Sequence, residues 1–123
     1  MMDQPSILEL VAAVRDFLEQ RAMPELKGHT AFHARVAANA LGIVARELEH
    51  GGASTEAERA RLAALLGHDG ALMDLNRELC ARIRDGGIGL DTKGFAEHLA
   101  LTTRDKVAID QPSYGGLKRF LAG

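Results

Sequence analysis

Residues 30–50 read TAFHARVAANALGIVARELEH, and this stretch decides the fold. At about 100° per residue, Phe32, Val36 and Ile43 share one direction, while Val44 and Leu48 face about 120° away. Alanines at 34, 37, 38, 40 and 45 cover most of the remaining circumference. Only a narrow strip is polar: Arg35, Asn39, Arg46 and Glu49, with Gly42 among them. A helix apolar around so much of its girth is a central one, and its small residues let neighbouring helices approach closely. The pair Gly51-Gly52 is its expected stop.

Working outward, Ser6 and Glu9 have the spacing of a capping box that opens a first helix. Ile7, Leu10, Val11, Val14, Phe17 and Leu18 recur on it at helical spacing as one narrow apolar stripe. Pro24 and Gly28 are expected to end it. After the central helix, Thr55 and Glu58 have the spacing of a second capping box, which would open a short helix running to Leu66. Gly67 suits the left-handed position that closes such a helix. Asp69 is the expected cap of the next helix, which carries Leu72, Leu75, Leu79 and Ile83 on one face and stops at Gly86-Gly87. Asp91 or Thr92 would cap the last main helix, which reaches Asp110 before Pro112. The reading is an all-α fold of about five helices packed as one bundle-like domain, residues 1–112. Residues 113–123 form a C-terminal arm with Leu117, Phe120 and Leu121 as its packing side chains.

Composition agrees with that reading and narrows the function. Of the 123 residues 46% are hydrophobic and only 4% aromatic, with alanine and leucine dominant, so apolar mass goes into close helix packing. Seventeen acidic against fifteen basic side chains leave a net charge of -2, without the basic excess of a nucleic-acid binder. No apolar run approaches the ~20 residues of a membrane span, and the first residues lack a signal-peptide pattern, so a cytoplasmic location is expected. One cysteine, Cys80, excludes an internal disulfide framework and a Cys-only zinc site. Cys80 is read as a small core residue of its helix.

Polar side chains on apolar faces are the informative positions, because each needs a partner or water when buried. On the last main helix Phe95, Leu99, Thr102 and Ile109 define the inner direction, and Lys106 points into the middle of that arc, with Asp110 one turn on. Asn76 lies among Leu72, Leu75, Leu79 and Ile83; Asn39 borders Phe32, Val36 and Ile43, with Arg35 one turn earlier. One reading makes Arg35, Asn39, Asn76, Lys106 and Asp110 a structural hydrogen-bonded cluster. The other makes Arg35, Asn39 and Lys106 the lining of an inter-helical cleft for a carboxylate or phosphate.

No catalytic constellation, cofactor motif or metal set accompanies them. His29 and His33 are four apart but lack the H-E-x-x-H pattern, and His68-Asp69 follows Gly67 at a helix end instead of lying within a helix. The glycines at 86, 87 and 89 lack the strand and lysine of a phosphate-binding loop.

The runs Phe32-His33-Ala34-Arg35-Val36-Ala37-Ala38-Asn39-Ala40-Leu41, Leu62-Ala63-Ala64-Leu65-Leu66-Gly67, Leu79-Cys80-Ala81-Arg82-Ile83-Arg84 and Lys106-Val107-Ala108-Ile109-Asp110 resemble a small bacterial, all-helical family whose domain has no assigned function. The likeness extends from about Pro5 to Tyr114. It departs at Gln111-Pro112, where relatives carry Asn-Pro. The resemblance implies genes beside aminoglycoside-phosphotransferase-like kinases and acyl-CoA dehydrogenases. It therefore implies a non-catalytic accessory or interaction protein whose partner is a kinase-like or acyl-CoA dehydrogenase-like enzyme. The alternative expectation is a small-molecule binder or enzyme using the cleft around Arg35, Asn39 and Lys106. A homo-oligomer is left open as a further arrangement.

Overall fold

The structure, a computed structural model, describes residues 3–123. Regular secondary structure among these residues is entirely helical, as expected. The chain divides into two compact units, one ending at His50 and the other beginning at Gly51.

In the first unit α1 spans Ile7–Phe17 and opens on the expected capping box. The Ser6 hydroxyl accepts from the Glu9 amide at 3.2 Å, and the Glu9 carboxylate accepts from the Ser6 amide at 2.6 Å. The backbone then widens into a π turn over Leu18–Ala22 and tightens again in α2, Met23–Glu25. Pro24 therefore does not stop the helix. It occupies the first turn of α2, where its missing amide costs little. Leu26 and Lys27 are extended, and α3, Gly28–Arg46, returns alongside α1.

The contact face of α3 is a ridge of small residues, Ala34, Ala38 and Gly42, all buried. Arg15 of α1 crosses this ridge at Gly42, where an added Cβ would lie 3.3 Å from the Arg15 guanidinium and 3.3 Å from that of Arg46. The apolar surface of α1 is wider than one stripe. Leu8, Val11 and Leu18 are half-buried, while Ile7, Leu10, Val14 and Phe17 stand in water.

Gly51-Gly52 does not end the central helix. A π turn runs over Glu47–Gly51, Gly51 keeps helical angles of φ -59° and ψ -41°, and α4 spans Gly52–Leu66. Glycine permits a break without imposing one. Thr55 accordingly lies inside α4 and caps nothing.

In the second unit α4 ends at Gly67, whose φ of 85° is the left-handed value expected there. Next, α5 spans Leu72–Arg84. Asp69 is not its cap: its carboxylate accepts from the neighbouring Gly70 amide at 2.7 Å and pairs with Arg59. After the loop through Ile88, α6 spans Phe95–Asp110, starting at Gly94 without a side-chain cap. Thr92 instead accepts from the Gly89 amide at 3.0 Å. The core gathers Leu62 and Leu66, Leu75 and Leu79, Ile88 and Phe95. Leu62 and Leu75 are almost fully enclosed, each stabilising the fold by roughly 1.5–3 kcal/mol. The expected C-terminal arm is helical: α7, Gly115–Ala122, packs on α6 and buries Leu117.

Candidate functional site

The second unit carries a line of polar side chains linking α4, α5 and α6. Asn76 of α5 donates to the Glu58 carboxylate of α4 at 3.3 Å. Arg61, one turn further along α4, donates to the Thr102 hydroxyl of α6 at 3.2 Å and lies 4.0 Å from the Asp105 carboxylate. Both charged side chains are largely enclosed. Asp105 also accepts from Arg104 at 2.8 and 2.6 Å. His98, one turn before Thr102, is 3% exposed. Its Nδ1 and the Nε of Arg61 are buried and find no hydrogen-bond partner among the described residues. Burial, and then the nearby Arg61 cation, hold the His98 imidazole below its ordinary range, so it stays neutral more readily.

Two hollows flank this line. One, about 320 Å³, is lined by Arg61, Ala64, Leu65, Lys93, Gly94 and Glu97, bringing two cations and a carboxylate to the start of α6. The other, about 410 Å³, is a groove between α6 and α7 whose walls are almost wholly apolar, including Leu99, Val107, Tyr114 and Phe120. Arg104, which reaches Asp105, also lines this groove.

The residues singled out in the sequence belong to both units. Arg35 and Asn39 are exposed on α3 in the first unit, while Asn76, Lys106 and Asp110 belong to the second. Asn76 is half-buried and joined to Glu58; Lys106 and Asp110 are exposed. Lys106 thus does not point into the core. On α6 the covered direction runs through His98, Thr102 and Ile109, rotated roughly 40° from the arc centred on Phe95 and Leu99. That rotation places His98 inside and Lys106 outside. It also leaves Leu99 42% exposed. Cys80 is exposed as well, because α5 turns Leu75 and Leu79 inward and Cys80 is about 100° from Leu79. The sequence reading takes Thr102 only as part of the inner face and does not join Arg61, His98 and Asp105 to it. Their signal was present as i, i+4 and i+7 spacing of His98, Thr102 and Asp105 on one side of α6.

His68 and Asp69 are each held by a neighbouring charged side chain, Asp69 by Arg59. His68 Nε2 lies 2.6 Å from the Glu78 carboxylate, and no group of three or more His, Cys, Asp or Glu among the described residues could hold a metal ion. Nor is any helix of the described residues long and apolar enough to cross a membrane.

Fold and site together define the class, a small all-α protein with a charged cross-link and an apolar groove in its second unit. Residues 24–114 match the family described as "Domain of unknown function (DUF6285)". The match spans well over half of the chain, so the protein belongs to that family. No curated protein and no solved structure matches it.

Proposed function

We propose that the protein is a non-catalytic accessory domain that acts by binding another protein, with the α6–α7 groove as its docking surface. The carrying observation is the groove itself: a hollow of about 410 Å³ with Leu99, Val107, Tyr114 and Phe120 in its walls and one cation, Arg104, beside them. Such a surface suits an apolar side chain or short apolar segment followed by an acidic group. Its only polar side chains are the hydroxyls of Thr103 and Tyr114 and the guanidinium of Arg104, and His98 lies outside its walls, 3% exposed. A kinase-like or acyl-CoA dehydrogenase-like enzyme, working in the cytoplasm, is the partner this reading favours.

Calorimetric mixing with a candidate enzyme of either kind tests the reading. Binding with a Kd in the micromolar range is expected, weakened at least about tenfold by Phe120→Asp, which puts a charge into the groove wall. No heat at roughly 100 µM with either kind of enzyme counts against it. A second reading draws on the pairing of Arg61 with Lys93 in the smaller hollow. It makes the protein a binder of a carboxylate- or phosphate-bearing small molecule. Heat on titrating inorganic phosphate, abolished by Lys93→Ala, would favour that reading instead.

A further inference from the structure

We infer that the hairpin of α1 and α3 is a homodimerisation surface, on which two copies of the chain close a four-helix bundle. The apolar seam of α1 consists of Ile7, Leu10, Val14 and Phe17, which fall within an arc of about 80° and are 47%, 45%, 52% and 59% exposed. On α3 the positions Ala37, Leu41 and Val44 fall within an arc of about 60°, Leu48 follows in the π turn beyond it, and Val44 and Leu48 are 44% and 47% exposed. The steps along these rows alternate three and four residues, the spacing of helices that pack knobs into holes.

Both rows lie on one side of the hairpin. The two-residue turn at Leu26-Lys27 sends α3 back antiparallel to α1, and the Arg15, Gly42 and Arg46 contact marks the opposite, polar side. The same wheel places Asp16 and Glu19 of α1, and Asn39 of α3, toward that polar side. The hairpin's own interface is spent on Ala34, Ala38 and Gly42, and away from the seam Phe32 and Val36 of α3 are exposed as well. No large side chain of the hairpin is fully buried among the described residues.

The occupant that fits is a second copy. Two antiparallel helices that share a continuous apolar seam are half of a four-helix bundle, and a twofold axis supplies the other half from the same surface. The seam positions carry no charge, so self-pairing brings no like charges together. The six large side chains, each about half exposed, leave roughly 600 Å² per copy, so pairing buries about 1,200 Å², enough for a specific interface.

The proposal concerns the first unit and does not depend on the α6–α7 groove, so either reading can fail alone. Sedimentation equilibrium of the full chain at roughly 1–100 µM should give twice the mass of 13.2 kDa. Val14→Glu and Val44→Glu should each weaken association at least about a hundredfold. Because both side chains are exposed in the single chain, helical circular dichroism at the lowest concentration should not change. If either charge proves to cost helix, Leu10→Ala gives the milder form of the same test and should still raise the dissociation constant. A single-chain mass at every concentration overturns the proposal. So does a dimer that survives all three substitutions, or one that dissociates on Phe120→Asp instead.

Discussion

Folding shifts the His98 and His68 imidazoles in opposite directions from their ordinary value, and the difference is set by what each touches. Burial, followed by the Arg61 cation, lowers His98 from its ordinary value of 6.5. Between that value and its lower native one, the unfolded chain binds the proton that the folded chain refuses. Stability is therefore lost as pH falls through this window and is steady below it. His68 is raised, by its contact with the Asp69 carbonyl and by the Glu78 carboxylate. Its contribution is present below 6.5 and is lost as pH rises through the native value. His98→Leu keeps an apolar side chain of similar size in the core and removes the orphaned Nδ1. Urea unfolding of this variant and the parent should diverge in the variant's favour as pH drops from about 7 to 5. A difference that stays flat across that range would sink the assignment.

At the scale of the element, α3 owes its close approach to α1 to a ridge without bulk. Ala38 is 1% exposed, so Ala38→Leu overfills the hairpin and should lower stability by roughly 1–3 kcal/mol. Gly42 lies on the same ridge yet faces the ends of two flexible side chains, Arg15 and Arg46, which can shift by a few tenths of an ångström. Gly42→Ala should accordingly gain up to about 1 kcal/mol from helix propensity. The two midpoints, measured side by side, should move in opposite directions. If both fall, Gly42 is there for close backbone contact and the ridge is tighter than described. Close packing through small residues is legible in the sequence, but the ridge itself is not: Gly42 reads there as part of the polar strip, yet it is buried in line with Ala34 and Ala38. Nor are the π turns legible there: they depend on how backbone hydrogen bonds shift register around Pro24 and Gly51.

Across the whole molecule the two units differ in how much they bury. The second encloses leucines from α4 and α5 with Ile88 and Phe95; the first encloses two alanines and a glycine among its described residues. Local opening follows buried apolar contact, so amides of 11–18 should exchange hydrogen well before those of 62–66 and 75–79 at low protein concentration. Equal protection in the two sets would contradict this account. If two copies pair through the hairpin, protection of 11–18 should rise with concentration while the other set is unmoved.

Sequence by itself determined the helical class, the Ser6 capping box, the left-handed close at Gly67, the close-packing small residues of α3 and the resemblance to a family without assigned function. Each is local, set by side-chain chemistry and a period of 3.6 residues. Tertiary structure decided which part of each broad apolar arc is covered. Periodicity orders residues around a helix axis, but the rotation of that helix against its neighbours depends on every side chain at the contact. On α6 a turn of roughly 40° exchanged Lys106 for His98 in the interior. It thereby set Thr102 and Asp105 against Arg61 and left Lys106 exposed. On α1 the same freedom left four large side chains in water, where a second copy can reach them.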